Sequence, residues 1–419
     1  MMSTIGALVG LALDIFLIIK KLSPVYSLML GALVGGLLGG LSLVDCIAAM
    51  TDGVRDITPA VVRILAAGVL SGVLIVSGAA VTLSNAIIRV MGNRYTLLAI
   101  ALTTMVLTAV GVFIDVAVIT VAPVALAAAA RLRLGTPQVL LAMIGGGKCG
   151  NIISPNPNTI AAAQNMNADL SMVMLAGVLP ALIGLLITVF VILKVMPRGQ
   201  AVTHNTDAEN DVDATAALPP LWASLVAPFV TIALLSLRPL AGINIDPLLA
   251  LPVGGVAGIL AMRQWRHMLP ALELGLGKMS TVAVLLIGTG TIAGVIKCSG
   301  LKDAILTGLD HLHLSGTAIA PTAGALMSAA TASTTAGATI ASASFGDAIL
   351  SVGVPAVFGA AMINAGATML DHLPHGSFFH ATGGVCGLSF SERLRLIPYE
   401  TAIGLTLALL SVMTYLFFG

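Results

Sequence analysis

The sequence predicts an all-α polytopic membrane protein with two inverted-topology repeats, about 10 transmembrane helices, two re-entrant hairpins and helices broken at the midplane. Three observations predict this fold class. The 419 residues are 58% hydrophobic and only 9% charged, with a mean hydropathy of +1.06, which is too little charge to cover a soluble protein. Apolar runs of about 20 residues, the length that crosses a bilayer, recur along the chain. The two halves of the chain also resemble each other.

A hydrophilic segment divides the chain into two apolar halves of similar length. We predict a first transmembrane repeat at 1–196, a cytoplasmic linker at 197–220 and a second transmembrane repeat at 221–419. Small residues recur in register between the halves, as in the pairs Gly68/Gly290, Gly72/Gly294 and Ser77/Ser299. Weak internal repeats of this kind are common in secondary transporters.

The elements are expected in the same order in each half: three helices, a hairpin, a broken helix and a last helix. In the first half they are predicted at 4–20, 25–44, 60–81 and 95–133, followed by a helix broken at "KCGNIISPNPNTIAAA" and a last helix at 170–195. In the second half they are predicted at 221–237, 247–262, 282–298, 316–350, 353–385 and 398–418. The long apolar stretch 95–133 also fits two full crossings instead of a hairpin.

The distribution of basic residues favours the hairpin interpretation, in which an odd number of crossings inverts the second half. This topology puts 13 of the 19 Lys and Arg residues on the cytoplasmic side, in agreement with the positive-inside rule. Six crossings per half would scatter the basic residues of the second half. We therefore expect a multi-pass protein of the bacterial cytoplasmic (inner) membrane with both termini outside.

The composition argues against several function classes. The sequence has no HExxH motif and no nucleophile–base set, so an enzyme is not indicated. It has no basic cluster that would suggest a nucleic acid as partner. The cysteines are scattered without CxxC spacing, which indicates neither a metal site nor a disulfide framework, and no cofactor is expected. The four cysteines are Cys46, Cys149, Cys298 and Cys386.

The first break, "GGGKCGNIISPNPNTIAAA", carries polar residues at what should be membrane depth. Pro155 and Pro157 prevent a continuous helix, so non-helical backbone here has to be buried in protein or line a wet cavity. The free N–H groups of a half-helix, together with the Lys148 charge, suit an anion. The alternative is a packing break without a ligand. The candidate substrate-binding residues are Lys148, Asn151, Ser154, Asn156 and Asn158.

The second break, "NAGATMLDHLPHGSFFH", is its counterpart in the second half. Asn364 and Thr368 are candidates for substrate binding, and Asp371, His372 and His375 for proton or ion coupling, because Asp and His can be tuned to exchange protons near neutral pH. The same Asp and His residues also fit a metal site. Pro374 lies between the histidines and argues against a regular helical ligand face, so no metal is predicted.

The two hairpin tips carry the remaining candidates. Asp115, in "GVFIDV", is the lone acid of its hairpin, and it fits three roles: neutralising Lys148, binding a cation or carrying a proton. The second tip, "TASTTAGAT", offers hydroxyls and carbonyls that could hold a carboxylate, sugar hydroxyls or Na⁺. Packing of helices through small residues is the alternative. The substrate-binding candidates at this tip are Ser333, Thr334 and Thr335.

At these residues the sequence resembles the gluconate permease family, the gluconate:H⁺ symporters of the ion transporter superfamily. The likeness is carried by "GVFIDVAVITVAPVALAAAARLR", by the first break, and by the C-terminal segment that contains the Asp-His pair, a "GLS" step and Glu400. The resemblance implies proton-coupled uptake of a sugar acid or small hydroxycarboxylate, an elevator-like or rocking motion, and a dimer. The positions that match the family are Asp115, Asn156, Pro157, Asp371 and His372.

The first break also departs from the family. It reads "SPNPNT" where typical members have His-Pro-Gly, and it adds Lys148, so the substrate need not be gluconate and glycerate also fits. We therefore predict a proton-coupled secondary transporter for a gluconate-like or glycerate-like acid. The alternative is a Na⁺/H⁺ antiporter without an organic substrate, which would use Asp115 and Asp371. The expected partners are a small carboxylate, the lipid bilayer and a second copy in a homodimer, and no nucleic acid.

Overall fold

The structure, a computed structural model, describes residues 2–20, 22–91, 95–197, 218–243, 245–300, 316–374 and 376–419. Within these ranges every named element is a helix, and isolated backbone bridges lie outside the helices, among them one between Met2 and Ser299. The prediction of an all-α chain is thus confirmed. Most of the predicted linker and His375 lie outside the described residues.

The first half contains nine helices among its described residues. They are α1 (Thr4–Ile19), α2 (Pro24–Leu38), α3 (Leu43–Val76), α4 (Ala79–Met91), α5 (Thr96–Ala109), α6 (Ile114–Arg131), α7 (Thr136–Asn151), α8 (Pro157–Asn165) and α9 (Leu170–Ile187). A π turn at Thr188–Ile192 carries α9 on to Val195.

The second half repeats this order. Its helices are α10 (Val226–Ala241, preceded by the short helix Leu221–Ser224), α11 (Pro247–Ala261), α12 (Met268–Lys297), α13 (Ile319–Thr331), α14 (Thr334–Ser351), α15 (Ala356–Ala367), α16 (Ser377–Val385), α17 (Phe390–Leu394) and α18 (Ile397–Phe418). Two helices, one long helix, a hairpin, a broken helix and a last helix therefore occur in this order in the described part of both halves, and the first half has α4 in addition between its long helix and its hairpin.

Four helical stretches in the described residues are long and apolar enough to cross a membrane. They are the third and the last helix of each half, together with short helical extensions: Leu43–Val76, Leu170–Val195, Trp265–Lys297 and Phe390–Phe418. The other apolar helices are shorter, with 10–17 residues. The paired positions of the four long helices agree with the repeat seen in the sequence.

The third helix of each half is longer than the sequence suggested. The predicted helix starts at residue 60, which leaves the polar stretch before it in a loop. In the structure this stretch forms the first part of α3. Ser42 caps this helix by accepting a hydrogen bond from the Asp45 backbone N–H at 3.1 Å. Asp52 and Arg55, three residues apart on its exposed side, form an ion pair of 3.2 Å. Local caps and pairs thus keep a polar sequence helical.

The two long helices α3 and α12 run antiparallel and touch along glycines. A side chain on Gly53 would meet the backbone of Gly290, and one on Gly68 would meet the backbone of Gly275. In the sequence repeat, Gly68 corresponds to Gly290 and Gly53 corresponds to Gly275. Replacing each glycine by its counterpart therefore converts the Gly53–Gly290 contact into the Gly68–Gly275 contact. Such an exchange is what two inverted repeats produce, and it puts the repeat axis at this crossing.

The hairpins and breaks meet across the two halves. The first break helix, α8, packs against α14 and α15, and the second break helix, α16, packs against α6. Each hairpin turns sharply, with Gly111 at φ +102° in the first and Ala332 at φ +47° in the second. Each break helix therefore lies beside the hairpin of the opposite half.

Candidate functional site

A cavity of about 420 Å³ lies where the hairpin tips and the helix breaks converge. Its polar lining comes from both tips and both breaks: Asp115, Asn151, Asn158, Ser333, Thr334, Thr335, Asp371 and Ser377. Phe113 and Phe378 add two aromatic rings, and α12 closes another wall with Lys278 and Thr281. The cavity is thus built from nonadjacent segments of both halves.

Four helix N-termini face this cavity. Asp115 and Asn158 are the second residues of α6 and α8, Ser333 is the N-cap of α14, and Ser377 is the first residue of α16. The first turn of a helix has unpaired backbone N–H groups and carries the positive end of the helix dipole. Four such ends around one space make it a favourable environment for a carboxylate.

Lys148 lies behind the cavity wall and has all of its donors engaged. Its Nζ donates to the carbonyl of Thr368 at 2.5 Å and to Asp371 Oδ1 at 2.6 Å, and it lies 3.0 Å from His372 Nδ1. The side chain is fully buried. Because an ammonium has three hydrogens, these acceptors saturate it. Lys148 therefore acts on the cavity through Asp371 and does not line it.

Asp371 connects the second break to the second hairpin tip. One carboxylate oxygen binds Lys148, and the other accepts a hydrogen bond from Thr334 Oγ1 at 2.5 Å. Asp371 is 3% exposed, and that exposed part faces the cavity. The carboxylate thus holds the tip of α14 against the break between α15 and α16.

His372 has two distinct ring nitrogens. Nε2 lies 3.2 Å from the carbonyl oxygen of Ile397 and 3.1 Å from Thr401 Oγ1. A carbonyl can only accept, so Nε2 is the nitrogen that carries hydrogen. Nδ1 is then free to accept from Lys148. With Nε2 as donor and Nδ1 as acceptor, the neutral ring satisfies its contacts with Ile397 and Lys148.

A second buried ion pair lies beyond His372. Glu400 Oε2 is 3.9 Å from His372 Nδ1, and Glu400 also pairs with Arg393 through two hydrogen bonds. Arg393 is only 1% exposed and lies over the Phe379 ring, 4.8 Å from its centroid. This pairing of Arg393 with Glu400 was not predicted from the sequence.

The asparagines of the breaks bind one another across the halves. Asn158 Nδ2 donates to Asn364 Oδ1 at 2.6 Å, and Asn364 Nδ2 donates to Thr159 Oγ1 at 3.0 Å. Asn156 caps α8 by accepting from the Thr159 backbone N–H at 3.2 Å, and its amide binds Asn151. These bonds fix the two breaks relative to each other.

The structure divides the predicted site residues into two groups. Those that line the cavity are Asp115, Asn151, Asn158, Ser333, Thr334, Thr335 and Asp371. Those that are buried behind the lining and bound to it are Lys148, Asn156, Asn364, Thr368 and His372. Ser154 belongs to neither group: it is buried, and its hydroxyl has no hydrogen-bond partner within the described part of the chain.

The carboxylate that neutralises Lys148 is Asp371 and not Asp115. Within the described ranges, Asp115 forms no ion pair, and it lies half-buried at the cavity. No site role was predicted for Lys278 and Ser377, which also line the cavity. A lysine within the apolar run "LGKMSTVAVLL" was a usable signal for Lys278.

A family model described as GntP family permease matches residues 2–417. A protein of Haemophilus influenzae described as an uncharacterized transporter is 52% identical over 413 residues, which are 99% of this chain and 98% of that protein. The high-affinity gluconate transporter of Escherichia coli is 23% identical over 441 aligned positions, covering 96% and 97% of the two chains. The D-serine transporter DsdX of Escherichia coli is 23% identical over 358 positions, 78% of each chain.

A solved structure, the YdaH transporter of Alcanivorax borkumensis, is similar to this fold. The TM-score is 0.63, with 16% sequence identity, and the match covers 88% of this chain and 86% of that one. At this identity the likeness extends to the architecture only. The crystal structure is described as having an unusual topology.

Proposed function

Because the chain belongs to the GntP family of permeases, which are membrane transporters and not enzymes, we propose that it takes up a small hydroxycarboxylate or sugar acid together with protons. The transport would be secondary active transport across the bacterial inner membrane, with both chain termini outside. Gluconate-like and glycerate-like acids are the proposed substrates.

The observation that carries this proposal is the cavity bounded by four helix N-termini. A substrate carboxylate there would receive backbone N–H groups and the positive ends of the helix dipoles. The volume of about 420 Å³ lies in the range of small-molecule sites. The surrounding hydroxyls and amides of Ser333, Thr335 and Asn151 suit the hydroxyl groups of the substrate.

The printed names of the relatives support a carboxylate. Gluconate and D-serine, the substrates named for two Escherichia coli relatives, both carry a carboxylate and a hydroxyl on a short carbon chain. The helix N-termini would bind the shared carboxylate, and the polar side chains would select the rest of the molecule. A hydroxyacid therefore fits the cavity better than a purely apolar acid.

The carboxylate of Asp115 in the same cavity supports the proposal of proton coupling. Two negative charges in one small space of low dielectric repel each other, and a proton on Asp115 would remove the repulsion. Asp371, which lines the cavity, and His372, which lies beside Asp371 and Lys148, are the other proposed carriers of the proton. Substrate and proton would then bind in support of each other.

A Na⁺/H⁺ antiporter is the second candidate, and one observation favours it. Asp115 has no ion pair within the described ranges, and it shares the cavity with the hydroxyls of Ser333, Thr334 and Thr335. A carboxylate with hydroxyl oxygens is a ligand set for a hard cation. This function would leave the convergence of four helix N-termini unused.

Uptake by purified protein in liposomes separates the two candidates. Labelled gluconate, glycerate and D-serine are offered under an inward proton gradient, an inward Na⁺ gradient or neither, with and without a protonophore. We expect uptake of a hydroxyacid that the proton gradient drives, that the protonophore abolishes and that Na⁺ leaves unchanged. Exchange of Na⁺ for H⁺ with every acid inert would contradict the proposal and support the antiporter.

A further inference from the structure

We infer that Glu400 and Arg393 are positioning residues of the proton-coupling site, which set the pH at which His372 takes up its proton. This inference rests on the proposed proton symport. Neither residue lines the cavity, and both act through His372. The Arg393–Glu400 pair belongs to the same buried polar network as the cavity residues, but substrate binding by itself gives this pair no role.

The contacts around His372 Nδ1 carry this inference. Lys148 Nζ from α7 lies 3.0 Å away, Asp371 Oδ1 from the second break 3.2 Å, and Glu400 Oε2 from α18 3.9 Å. From α14, Thr334 reaches this group through Asp371. Asp115 and Lys278 lie on other walls of the cavity that Asp371 lines. A proton on Nδ1 thus meets one cation and two carboxylates.

The buried cluster is electrically neutral when His372 is neutral. Lys148 and Arg393 supply two positive charges, Asp371 and Glu400 two negative ones, and each of the four side chains is at most 3% exposed. A proton on His372 makes the cluster singly positive, and a substrate monoanion in the neighbouring cavity restores neutrality. Because a net charge is costly inside a membrane, the proton and the anion favour each other.

Arg393 sets the position of the Glu400 carboxylate. Its guanidinium binds both carboxylate oxygens and is itself held by the Phe379 carbonyl at 3.2 Å and by Thr382 Oγ1 at 3.3 Å. Glu400 is thereby kept beside His372 as a fixed negative charge. Removing that charge disfavours protonated His372, whereas removing the Arg393 charge favours it.

Protonation also changes the hydrogen bonds of Lys148. Nδ1 accepts from Lys148 in the neutral ring, but as an N–H it can only donate, so the Lys148 bond is lost. The new N–H can turn to Asp371 Oδ1 or Glu400 Oε2. Protonation of His372 thus removes one of the three hydrogen bonds that hold Lys148 behind the wall of the substrate cavity.

Uptake measured from pH 5 to 9 with Glu400→Gln, Arg393→Gln and the double variant tests the inference. We expect the pH of half-maximal uptake to fall by about 1 unit in Glu400→Gln, to rise in Arg393→Gln and to return toward wild type in the double variant. A purely structural pair would lower the rate in both single variants without opposite shifts. Arg393→Lys keeps the charge and should keep the wild-type midpoint, whereas Glu400→Asp moves the negative charge away from His372 and should lower the midpoint by a few tenths of a unit at most.

The outcomes distinguish this inference from the proposed function. Opposite shifts support the positioning role, and shifts of the same sign, or none, overturn it while acid uptake by the wild type stands. Absence of proton-driven acid uptake by the wild type would contradict the proposed function itself. If a glutamine variant does not fold, the pH dependence of substrate-induced thermal stabilisation in Glu400→Asp decides: its longer distance to His372 predicts a small shift toward lower pH, and a shift toward higher pH contradicts the role.

Discussion

Lys148 and Asp371, which are 223 residues apart in the chain, form an ion pair of 2.6 Å that joins the break of the first half to the break of the second. Both side chains are buried, and both also bind other parts of the site, the Thr368 carbonyl and the Thr334 hydroxyl. This fully engaged contact therefore helps to hold the two halves together at the substrate cavity.

Removing one charge of this pair should be far more damaging than removing one from a surface pair. Asp371→Asn leaves Lys148 buried without its counter-charge, and we expect a loss of about 3–5 kcal/mol in unfolding free energy. The matched control is Asp56→Asn, because Lys297 and Asp56 form a pair of 2.8 Å whose side chains are 47% and 55% exposed. The control should lose less than about 1 kcal/mol. Chemical unfolding in detergent measures both, and equal losses would contradict the assigned importance of the buried pair.

A negative charge at the tip of α14 should weaken the binding of an acidic substrate in the cavity. Ser333 caps this helix by accepting from the Ala336 backbone N–H at 3.3 Å, and both Asp and Asn can replace it as a cap. Ser333→Asp brings a charge into the cavity, and Ser333→Asn does not. We expect substrate affinity to fall at least about 10-fold in the Asp variant and to stay within a few-fold of wild type in the Asn variant. Calorimetric titration would show it; equal affinities would mean that the carboxylate binds elsewhere.

Glycine at position 146 is required by close packing. A Cβ there would meet the Ala101 carbonyl of α5, so Gly146→Ala should cost about 1–3 kcal/mol or more. Gly384 in α16 has open space around it, and Gly384→Ala should be neutral or stabilising by about 0.5–1 kcal/mol. Thermal unfolding of the two variants compares the same chemical change in two environments. A stable Gly146→Ala protein would show that α5 and α7 can separate at little cost.

The Arg63–Asp246 pair gives a pH dependence with a defined sign. Hydrogen bonds from Arg63 hold the pKa of Asp246, in the loop before α11, below its ordinary value. A lowered pKa contributes stability above the ordinary value, near 3.9, which is lost as the pH falls through the lowered one. Because Asp246 is 44% exposed, we expect less than about 1 kcal/mol.

Asp246→Asn keeps the helix cap while removing the charge, so it isolates this pair. The difference in stability between wild type and variant should be present at pH 7 and should disappear only as the pH falls through the lowered pKa of Asp246. A difference that is constant over this range would assign the effect to the cap and not to the ion pair.

The order of the helices and the location of the site were predictable from the sequence, because both follow from local patterns. Apolar runs, prolines and polar clusters mark the breaks at Lys148 and Asp371 and the tip at Ser333. The resemblance to the gluconate permease family is also confirmed, by a match over residues 2–417. The partners were not predictable. Asp115 was considered as a counter-charge for Lys148 because it lies in the same half, whereas the observed partner comes from the other half.

Two further differences have identifiable physical causes. The helix predicted from residue 282 begins at Met268. Lys278 therefore lies within α12 and lines the cavity, whereas the predicted bounds left it outside the helix. The pairing of Arg393 with Glu400 was not predicted, and it forms because a turn between α17 and α18 brings the two side chains together. Both differences come from packing between segments, which no local pattern contains.

The glycine-lined crossing of α3 and α12 has a mechanical consequence. At Gly53–Gly290 and at Gly68–Gly275 backbone lies against backbone, and a slip by one residue would bring side chains into collision at these points. The crossing of α3 and α12 should therefore stay rigid during transport. Labels attached near the cavity should change their distance to this crossing during a transport cycle, while the distances between labels on α3 and α12 stay constant.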